Sequence, residues 1–193
     1  MYMVSRLVLT TLLLLQIWQP SAAGQSKSGN PPVVVLPRGP VSRIPSPNGM
    51  WTLIFECPND CSERKLWIEE NTSHTRKLVK EYERSLSISW APDSRSFFVE
   101  DDFASNETLC YLYDATTLKE TDIARVVLAA YPDAAQFVNA GHSYLEAKRW
   151  LNSHEVLVVL HGYNDGLPPR DFTLRYRIGL NRSVHKISQK VEE

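Results

Sequence analysis

The sequence has no excess of charge of either sign. Its 21 Lys and Arg residues are balanced by 22 Asp and Glu residues, which leaves a formal net charge of -1. Proteins that bind nucleic acid usually carry a strongly basic patch or domain, because the phosphate backbone dominates their affinity. The balance of charge therefore argues against nucleic acid as a partner.

The sequence also lacks the short motifs that mark common enzymes and metal sites. It contains no Gly-x-Ser-x-Gly elbow, no His-Glu-x-x-His pair and no phosphate-binding loop. The spacing of its five histidines is not typical of a metal site. These are His74, His142, His154, His161 and His185. We therefore predict no cofactor and no metal centre, and the sequence identifies no catalytic residue.

No apolar run is long enough to span a bilayer. The run from Leu7 to Trp18 has about a dozen residues, whereas a membrane helix needs about 20. Arg6 precedes this run, and three small residues ending at Ala23 follow it. This order is typical of a secretory signal peptide, residues 1–23. We expect an exported, periplasmic or secreted protein that begins at Gly24 and has no stable membrane anchor.

The sequence has only three cysteines, an odd number for a compartment that permits disulfides. Cys57 and Cys61 are separated by Pro58-Asn59-Asp60, a turn that lets them face one another, so we predict a disulfide between them. Cys110 is then left single. It lies in an apolar run, where a buried small side chain is the expected role.

Proline is concentrated near the start of the predicted mature chain. Residues 24–45 combine a polar beginning with prolines at 31, 32, 37, 40 and 45. Proline lacks a backbone N–H and disfavours helix, so we predict an extended N-terminal segment. Within it, residues 33–36 can add one edge strand.

A repeat of 45 residues is present from residue 46 onward. Residues 46–55 and 91–100 both read small residue, Pro, Asn or Asp, Gly or Ser, and then an apolar run. Pro and Asn or Asp favour a β-turn, so each copy predicts a turn followed by a strand. Second strands follow at 65–69 and 109–114. A weaker third copy begins at residue 148, with Trp150 in the place of Trp90 and strands at 156–160 and 172–178. Such a period is typical of propeller blades.

The second copy resembles a known family. Ser-Ile-Ser-Trp-Ala-Pro-Asp-Ser-Arg-Ser-Phe-Phe-Val at 87–99, followed by Leu-Cys-Tyr-Leu-Tyr-Asp at 109–114, is similar to the TolB-type or WD-like repeats of secreted bacterial β-propellers. The resemblance implies a mainly β fold of three propeller-like antiparallel units over residues 46–190. Closed propellers use about four to eight blades, so we expect an incomplete or open propeller. Sandwich-like packing of the same hairpins and closure by another chain remain alternatives.

A helical insertion interrupts the strands at about residues 121–140. Ile123, Val126, Val127 and Ala130 fall on one face at helical spacing, after Thr121 or Asp122 as the capping residue. A second short helix is predicted from Pro132 to Gly141.

Four tryptophans occupy strand or turn positions of the repeats, and we expect core packing between sheets to explain most of them. They are Trp51, Trp67, Trp90 and Trp150. Leu86, Ile88 and Trp90 alternate along one strand and should share its buried face.

Glu100, Asp101 and Asp102 are three adjacent acidic residues, and their carboxylates are of the type that binds Ca²⁺. Successive side chains of a strand point in opposite directions, so these three cannot face one ion without a bend. We predict instead a solvated strand end.

The loop from His161 to Arg170 is the candidate binding site, because loops at strand ends often hold binding residues. Its proposed binding residues are His161, Tyr163, Asn164 and Asp165. Asn164-Asp165-Gly166 is also an ordinary hairpin-turn sequence.

Three functions fit these patterns. The favoured hypothesis is an exported noncatalytic binding module that presents loops from a β scaffold to another protein or an envelope component. A second is a structural fragment that a partner chain completes, with association through open sheet edges. A third is a hydrolase that uses His161 with Asp165 or Asp171.

Overall fold

The computed structural model describes residues 29–58, 61–166 and 168–192. The predicted signal peptide, residues 1–23, lies outside these ranges. Within them, every helix is too short or too polar to cross a bilayer.

The first unit of the fold, blade 1, is a four-stranded antiparallel sheet whose strands lie side by side in the order in which they occur in the chain. A short strand, β1 (Val34–Leu36), precedes it. The blade consists of β2 (Val41–Pro45), β3 (Trp51–Glu56), β4 (Arg64–Glu70) and β5 (Thr75–Tyr82). The sequence predicted β1, β3 and β4. Residues 41–45 were expected to be extended N-terminal chain, but they pair with β3 and form the first strand of the blade.

Blade 2 repeats this arrangement 45 residues later. It consists of β6 (Leu86–Trp90), β7 (Ser96–Ala104), β8 (Glu107–Asp114) and the short β9 (Glu120–Asp122). The same turn connects the first two strands of both blades: the N–H of Gly49 donates to Ser46, and that of Ser94 to Ala91, each at 2.9 Å. Gly49 and Ser94 both have positive φ, +70° and +65°. The predicted repeat turn is therefore present in both blades.

The helical insertion lies where it was predicted. Helix α1 (Ile123–Ala130) begins after Asp122, whose carboxylate accepts from the N–H of Arg125 at 3.1 Å. A 3₁₀ turn (Pro132–Ala134) and the short helix α2 (Ala135–Val138) follow. The insertion packs between blades 2 and 3 and contributes Ile123 and Val127 to their shared core.

Blade 3 is the last antiparallel unit. It consists of β10 (His142–Asn152), β11 (Glu155–Tyr163), β12 (Asp171–Gly179) and β13 (Val184–Val191). Its first strand pairs in parallel with β8 at only two positions, and β1 pairs with the free edge of β6. Blades 2 and 3 are thereby continuous, whereas blade 1 is a separate sheet. The chain is thus mainly β, with three propeller-like units in an open arrangement.

Blade 2 separates two apolar cores, because alternate residues of its strands face opposite sides. Phe97 and Val99 face the core shared with blade 1, which includes Leu53, Phe55, Leu66, Ile68, Leu86 and Ile88. Phe98 faces the core shared with blade 3, which includes Val156, Val158, Leu160, Leu174, Tyr176 and Ile178. A sheet that is covered on both faces explains why the apolar run 97–99 is continuous.

The four tryptophans among the described residues occupy three environments. Trp90 and Trp150 are buried, with 2% and 0% exposure, and belong to the first and second core respectively. Leu86 and Ile88 lie in the first core with Trp90, as their alternation predicted. Trp51 is half-buried against the first core. Trp67 lies between the buried Leu66 and Ile68 and belongs to neither core, because alternation turns it to the outer face of blade 1.

The outer face of blade 1 carries a network of ion pairs. Ile54 is completely buried there, although it belongs to neither core. Glu69 bonds to Arg43 at 2.8 Å and to Arg76 at 2.6 Å, and Arg76 also bonds to Glu56 at 3.0 Å. Arg43 is the cross-strand neighbour of Ile54. The aliphatic stems of long charged side chains can cover apolar surface in this way.

Candidate functional site

Four aromatic and imidazole rings meet where β10 begins and β11 ends. The strand register sets His142 opposite Tyr163 and Tyr144 opposite His161. Side chains that are directly opposite in an antiparallel pair lie on the same face of the sheet. We call these four residues the histidine–tyrosine face.

The rings of this face form two stacked pairs. The ring centroids of His142 and Tyr163 are 4.0 Å apart, with an interplanar angle of 18°. Those of Tyr144 and His161 are 5.3 Å apart at 29°. Contacts between stacked rings are favourable, so the two rings of each pair help to hold one another in position.

The face is turned away from the core shared with blade 2. Leu145 and Ala147, which alternate with Tyr144 along β10, are buried in that core. On the other side, the side chain of His161 is 38% exposed and Tyr163 is 37% exposed. The rings of His161 and Tyr163 are therefore accessible on this side of the sheet.

Glu146 links His161 of this face to the side chain of Lys148. Its carboxylate lies 2.9 Å from Nε2 of His161 and also pairs with Lys148. Partial burial opposes ionisation of Glu146, but the bonds from Lys148 and His161 outweigh it and lower its pKa. The group is thus a carboxylate with two partners.

The loop after β11 is held together by Asn164. Oδ1 of Asn164 accepts from the backbone N–H groups of Gly166 at 3.3 Å and Arg170 at 3.0 Å, so its oxygen holds the loop. The side chain of Asp165 is 72% exposed and lies 4.0 Å from Nε2 of His142. The hydrolase hypothesis paired His161 with Asp165 or Asp171, whereas the structure pairs His161 with Glu146.

Sequence reasoning did not identify His142, Tyr144 and Glu146. They alternate with Ser143, Leu145 and Ala147, which are buried. That alternation predicts a strand with one exposed face. It could have identified β10, but only the register with β11 brings its rings to His161 and Tyr163.

Two of the three acidic residues 100–102 are buried, contrary to the prediction of a solvated strand end. Glu100 and Asp101 are only 9% and 4% exposed, because β7 is covered by a blade on each side. Burial, followed by the nearby Glu146, raises the pKa of Glu100 to about 8. Asp102 instead accepts from Ser85 at 2.7 Å. Across the described residues, no three His, Cys, Asp or Glu side chains are grouped as metal ligands would be.

The cysteines occupy two environments. Cys57 and Cys61 are joined in a disulfide, with their Cα atoms 4.6 Å apart. Cys110 is a free thiol buried in the core between blades 2 and 3. Burial raises its pKa well above the ordinary thiol value, which disfavours the reactive thiolate.

No family model and no curated protein matches the chain. Solved structures that are similar to it include the β-propeller domain of the Trilobed protease from Pyrococcus furiosus, which has an open velcro topology. That match has 14% identity and a TM-score of 0.49, and it covers 78% of this chain and 44% of the other. TolB from Acinetobacter baumannii matches at 14% identity and a TM-score of 0.40, with 82% and 32% covered.

A third similar structure is the acylaminoacyl peptidase from Pyrococcus horikoshii. It has 14% identity and a TM-score of 0.45, and the match covers 78% of this chain and 25% of the peptidase. The chain spans less than half the length of all three proteins. The three blades of this chain are defined by its own strand pairing, described above.

Proposed function

We propose that this chain is an exported, noncatalytic binding module whose recognition surface is the histidine–tyrosine face of blade 3. The observation that carries this proposal is the pair of ring stacks on an accessible sheet face, His142 with Tyr163 and Tyr144 with His161. The partner is a protein or another envelope component.

Rings held in this way are suited to recognition. Tyrosine provides a large contact area at a small cost in side-chain entropy, and it is enriched at protein interfaces. Stacking fixes the rings in advance, so less entropy is lost on binding. Glu146 and Lys148 form a polar border beside the rings.

The surroundings of the histidines support a binding role over catalysis. Acyl transfer by a histidine base needs a nucleophile within hydrogen-bond reach. Ser143, the hydroxyl adjacent to His142 in the chain, alternates to the opposite side of β10 and is 7% exposed. His161 is engaged by a carboxylate that also neutralises Lys148.

The test compares two double variants of the mature chain as immobilised bait for a native envelope fraction. Tyr144→Ala with Tyr163→Ala removes both tyrosines of the face. Ile187→Ala with Val191→Ala is the control, because it removes exposed apolar side chains from β13 of the same blade. We expect capture of the partner to be lost in the first variant only. Equal capture by both variants would refute the proposed surface.

A broad hydrolase screen tests the noncatalytic part of the proposal. We expect no turnover that depends on His161. Turnover that disappears in His161→Ala but survives in His185→Ala would favour the hydrolase hypothesis.

Export is tested separately by N-terminal sequencing of material from the host's exported fraction. We expect Gly24 as the first residue. A chain that still begins with Met1 would show that residues 1–23 are retained.

A structural fragment completed by a partner chain is the second candidate. The open arrangement of three blades favours it, since closed propellers use about four to eight blades. Light scattering after size-exclusion chromatography separates the two candidates: a monomer is expected for the binding module, and a stable higher assembly for the fragment.

A further inference from the structure

A second concave site is lined by residues outside blade 3. It is a cleft of about 780 Å³ between the N-terminal segment, β2 and the start of the repeat turns of blades 1 and 2. Ligand pockets for small molecules typically fall in the range of about 300–1,000 Å³. Its walls include Val34, Ile44 and Trp90, all of which also contact the core between blades 1 and 2.

Proline forms much of the cleft wall. Proline has a fixed φ and no backbone N–H, so such walls are rigid and offer apolar ring faces with few donors. The prolines that line the cleft are Pro31, Pro32, Pro45, Pro47 and Pro92. A ligand must therefore be mainly apolar where it contacts them.

The charge of the cleft has one sign. Arg38 and Arg43 line it, and its lining residues include no carboxylate. Arg43 is committed in part to Glu69, at 2.8 Å. Nε of Arg38 donates to the carbonyl of Val35 at 3.1 Å. Arg38 takes part in none of the ion pairs among the described residues. The two terminal nitrogens of its guanidinium take part in no hydrogen bond among the described residues and can donate to an anion.

We propose that this cleft binds a small amphiphilic anion, an apolar body that ends in a carboxylate, with Arg38 as its ion partner. The apolar body lies against the proline rings and the edge of Trp90, while the carboxylate meets the guanidinium at the rim. This site is independent of the histidine–tyrosine face and would remain if that face had another role.

Ser42 provides a further donor at the wall. Among the described residues its hydroxyl has no hydrogen-bond partner, and it lies beneath the surface of the cleft. A rotation of the side chain brings it toward the cleft, where a carboxylate oxygen can accept from it. A polar ligand group would thereby satisfy a buried donor that is otherwise unpaired.

The test is equilibrium dialysis of the mature chain against radiolabelled dodecanoate, below the concentration at which it forms micelles. We expect saturable binding of one dodecanoate per chain. Dodecyltrimethylammonium, with a similar apolar chain and the opposite charge, should not compete. Arg38→Gln should weaken dodecanoate binding about tenfold, because it removes a charged hydrogen bond. Arg175→Gln, in blade 3, is the matched control and should bind like the parent.

Two further variants locate dodecanoate binding within the molecule. Asn30→Trp places a bulky ring at an exposed position of the cleft lining and should abolish binding. Tyr144→Ala with Tyr163→Ala, on the histidine–tyrosine face, should leave it unchanged. Circular dichroism and melting confirm that each variant is folded.

Three results with dodecanoate would overturn the proposal. They are an absence of saturable dodecanoate binding, equal competition by the cationic amphiphile, and parent-like binding by Arg38→Gln. A fourth arm uses an N-acetylated apolar tetrapeptide with a free terminal carboxylate. Binding of that peptide without binding of dodecanoate would identify a peptide groove and also overturn the proposal.

Discussion

The indole N–H of Trp90 in blade 2 donates to the carbonyl oxygen of Ile44 in blade 1 at 3.1 Å. The same bond recurs one blade later, where the indole N–H of Trp150 donates to the carbonyl of Ser89 at 3.3 Å. Ile44 and Ser89 are equivalent, since each lies two residues before the turn residue that begins the repeat. In blades 2 and 3, the tryptophan of the repeat thus joins the blade to the first strand of the blade before it. Pro45 occupies the corresponding position in blade 1.

Replacement of Trp90 by Ala should destabilise the protein by about 3–5 kcal/mol, because it leaves a cavity in the core between blades 1 and 2. Trp90→Phe keeps most of the apolar volume but leaves the carbonyl of Ile44 without this donor, so we expect a smaller loss of about 1 kcal/mol. Urea unfolding followed by circular dichroism measures both. Parent-like stability of Trp90→Ala would contradict the buried position.

Gly162 is required for the close approach of β10 and β11 beneath the histidine–tyrosine face. It has a φ of +155°, and a Cβ there would overlap the carbonyl oxygen of His142. Gly162→Ala should therefore cost about 1–3 kcal/mol and displace the His142 ring from Tyr163. Gly29→Ala is the control, because a Cβ at that position has open space around it. Unchanged melting and unchanged imidazole NMR signals in Gly162→Ala would show that the close approach does not depend on glycine.

Glu100 should make the protein less stable as the pH rises. Burial raises its pKa from 4.5 to about 8, so the folded state keeps a proton that the unfolded chain releases between these values. The free energy of unfolding should fall across pH 4.5 to 8, by a few kcal/mol, and level off above pH 8. Asp101, whose pKa burial also raises, acts in the same direction.

Glu100→Gln tests this dependence, because a neutral amide has no proton to release. Urea unfolding at pH 5, 6, 7 and 8 should show a smaller slope for this variant than for the parent. The exposed Glu81→Gln should retain the parent's slope. A parent-like slope in Glu100→Gln would assign the pH dependence to other groups.

The Cys57–Cys61 disulfide should form in protein from an oxidising compartment. Mass spectrometry before and after reduction detects it as a gain of two hydrogens. The closed loop is short, so its loss should cost only about 1–2 kcal/mol by loop-entropy scaling. Two free thiols at these positions in unreduced protein would exclude the bond.

The sequence predicted what local patterns encode. Pro47 and Pro92 identified the repeat turns, and alternation placed Leu86, Ile88 and Trp90 on one buried face. A cap at Thr121 or Asp122 placed the start of α1, and the structure selects Asp122. Strands β5 and β13 were missed because they are outer strands. Most of their residues are exposed, so they lack the apolar alternation that marks a half-buried strand.

The candidate site could be predicted only in part. His161 and Tyr163 were identified because they end an apolar strand. Their partners His142 and Tyr144 are about 20 residues earlier, and only the register of β10 with β11 decides which rings stack. The burial of Glu100 was missed for the same reason, since it depends on a blade that is distant in sequence.

Blade 2 supplies one wall of each core, and among the described residues neither core contains side chains from both blade 1 and blade 3. The energetics of such a stack are those of a linear chain of neighbours, in which each unit is coupled only to the next. A double-mutant cycle between Leu66 in blade 1 and Leu174 in blade 3 should therefore be additive. A cycle between Leu66 and Phe97, which share the first core, should show coupling, and so should a cycle between Leu174 and Phe98 in the second core. Communication between the two outer blades must then pass through the middle strands of blade 2, which should be the last amides to exchange with deuterium.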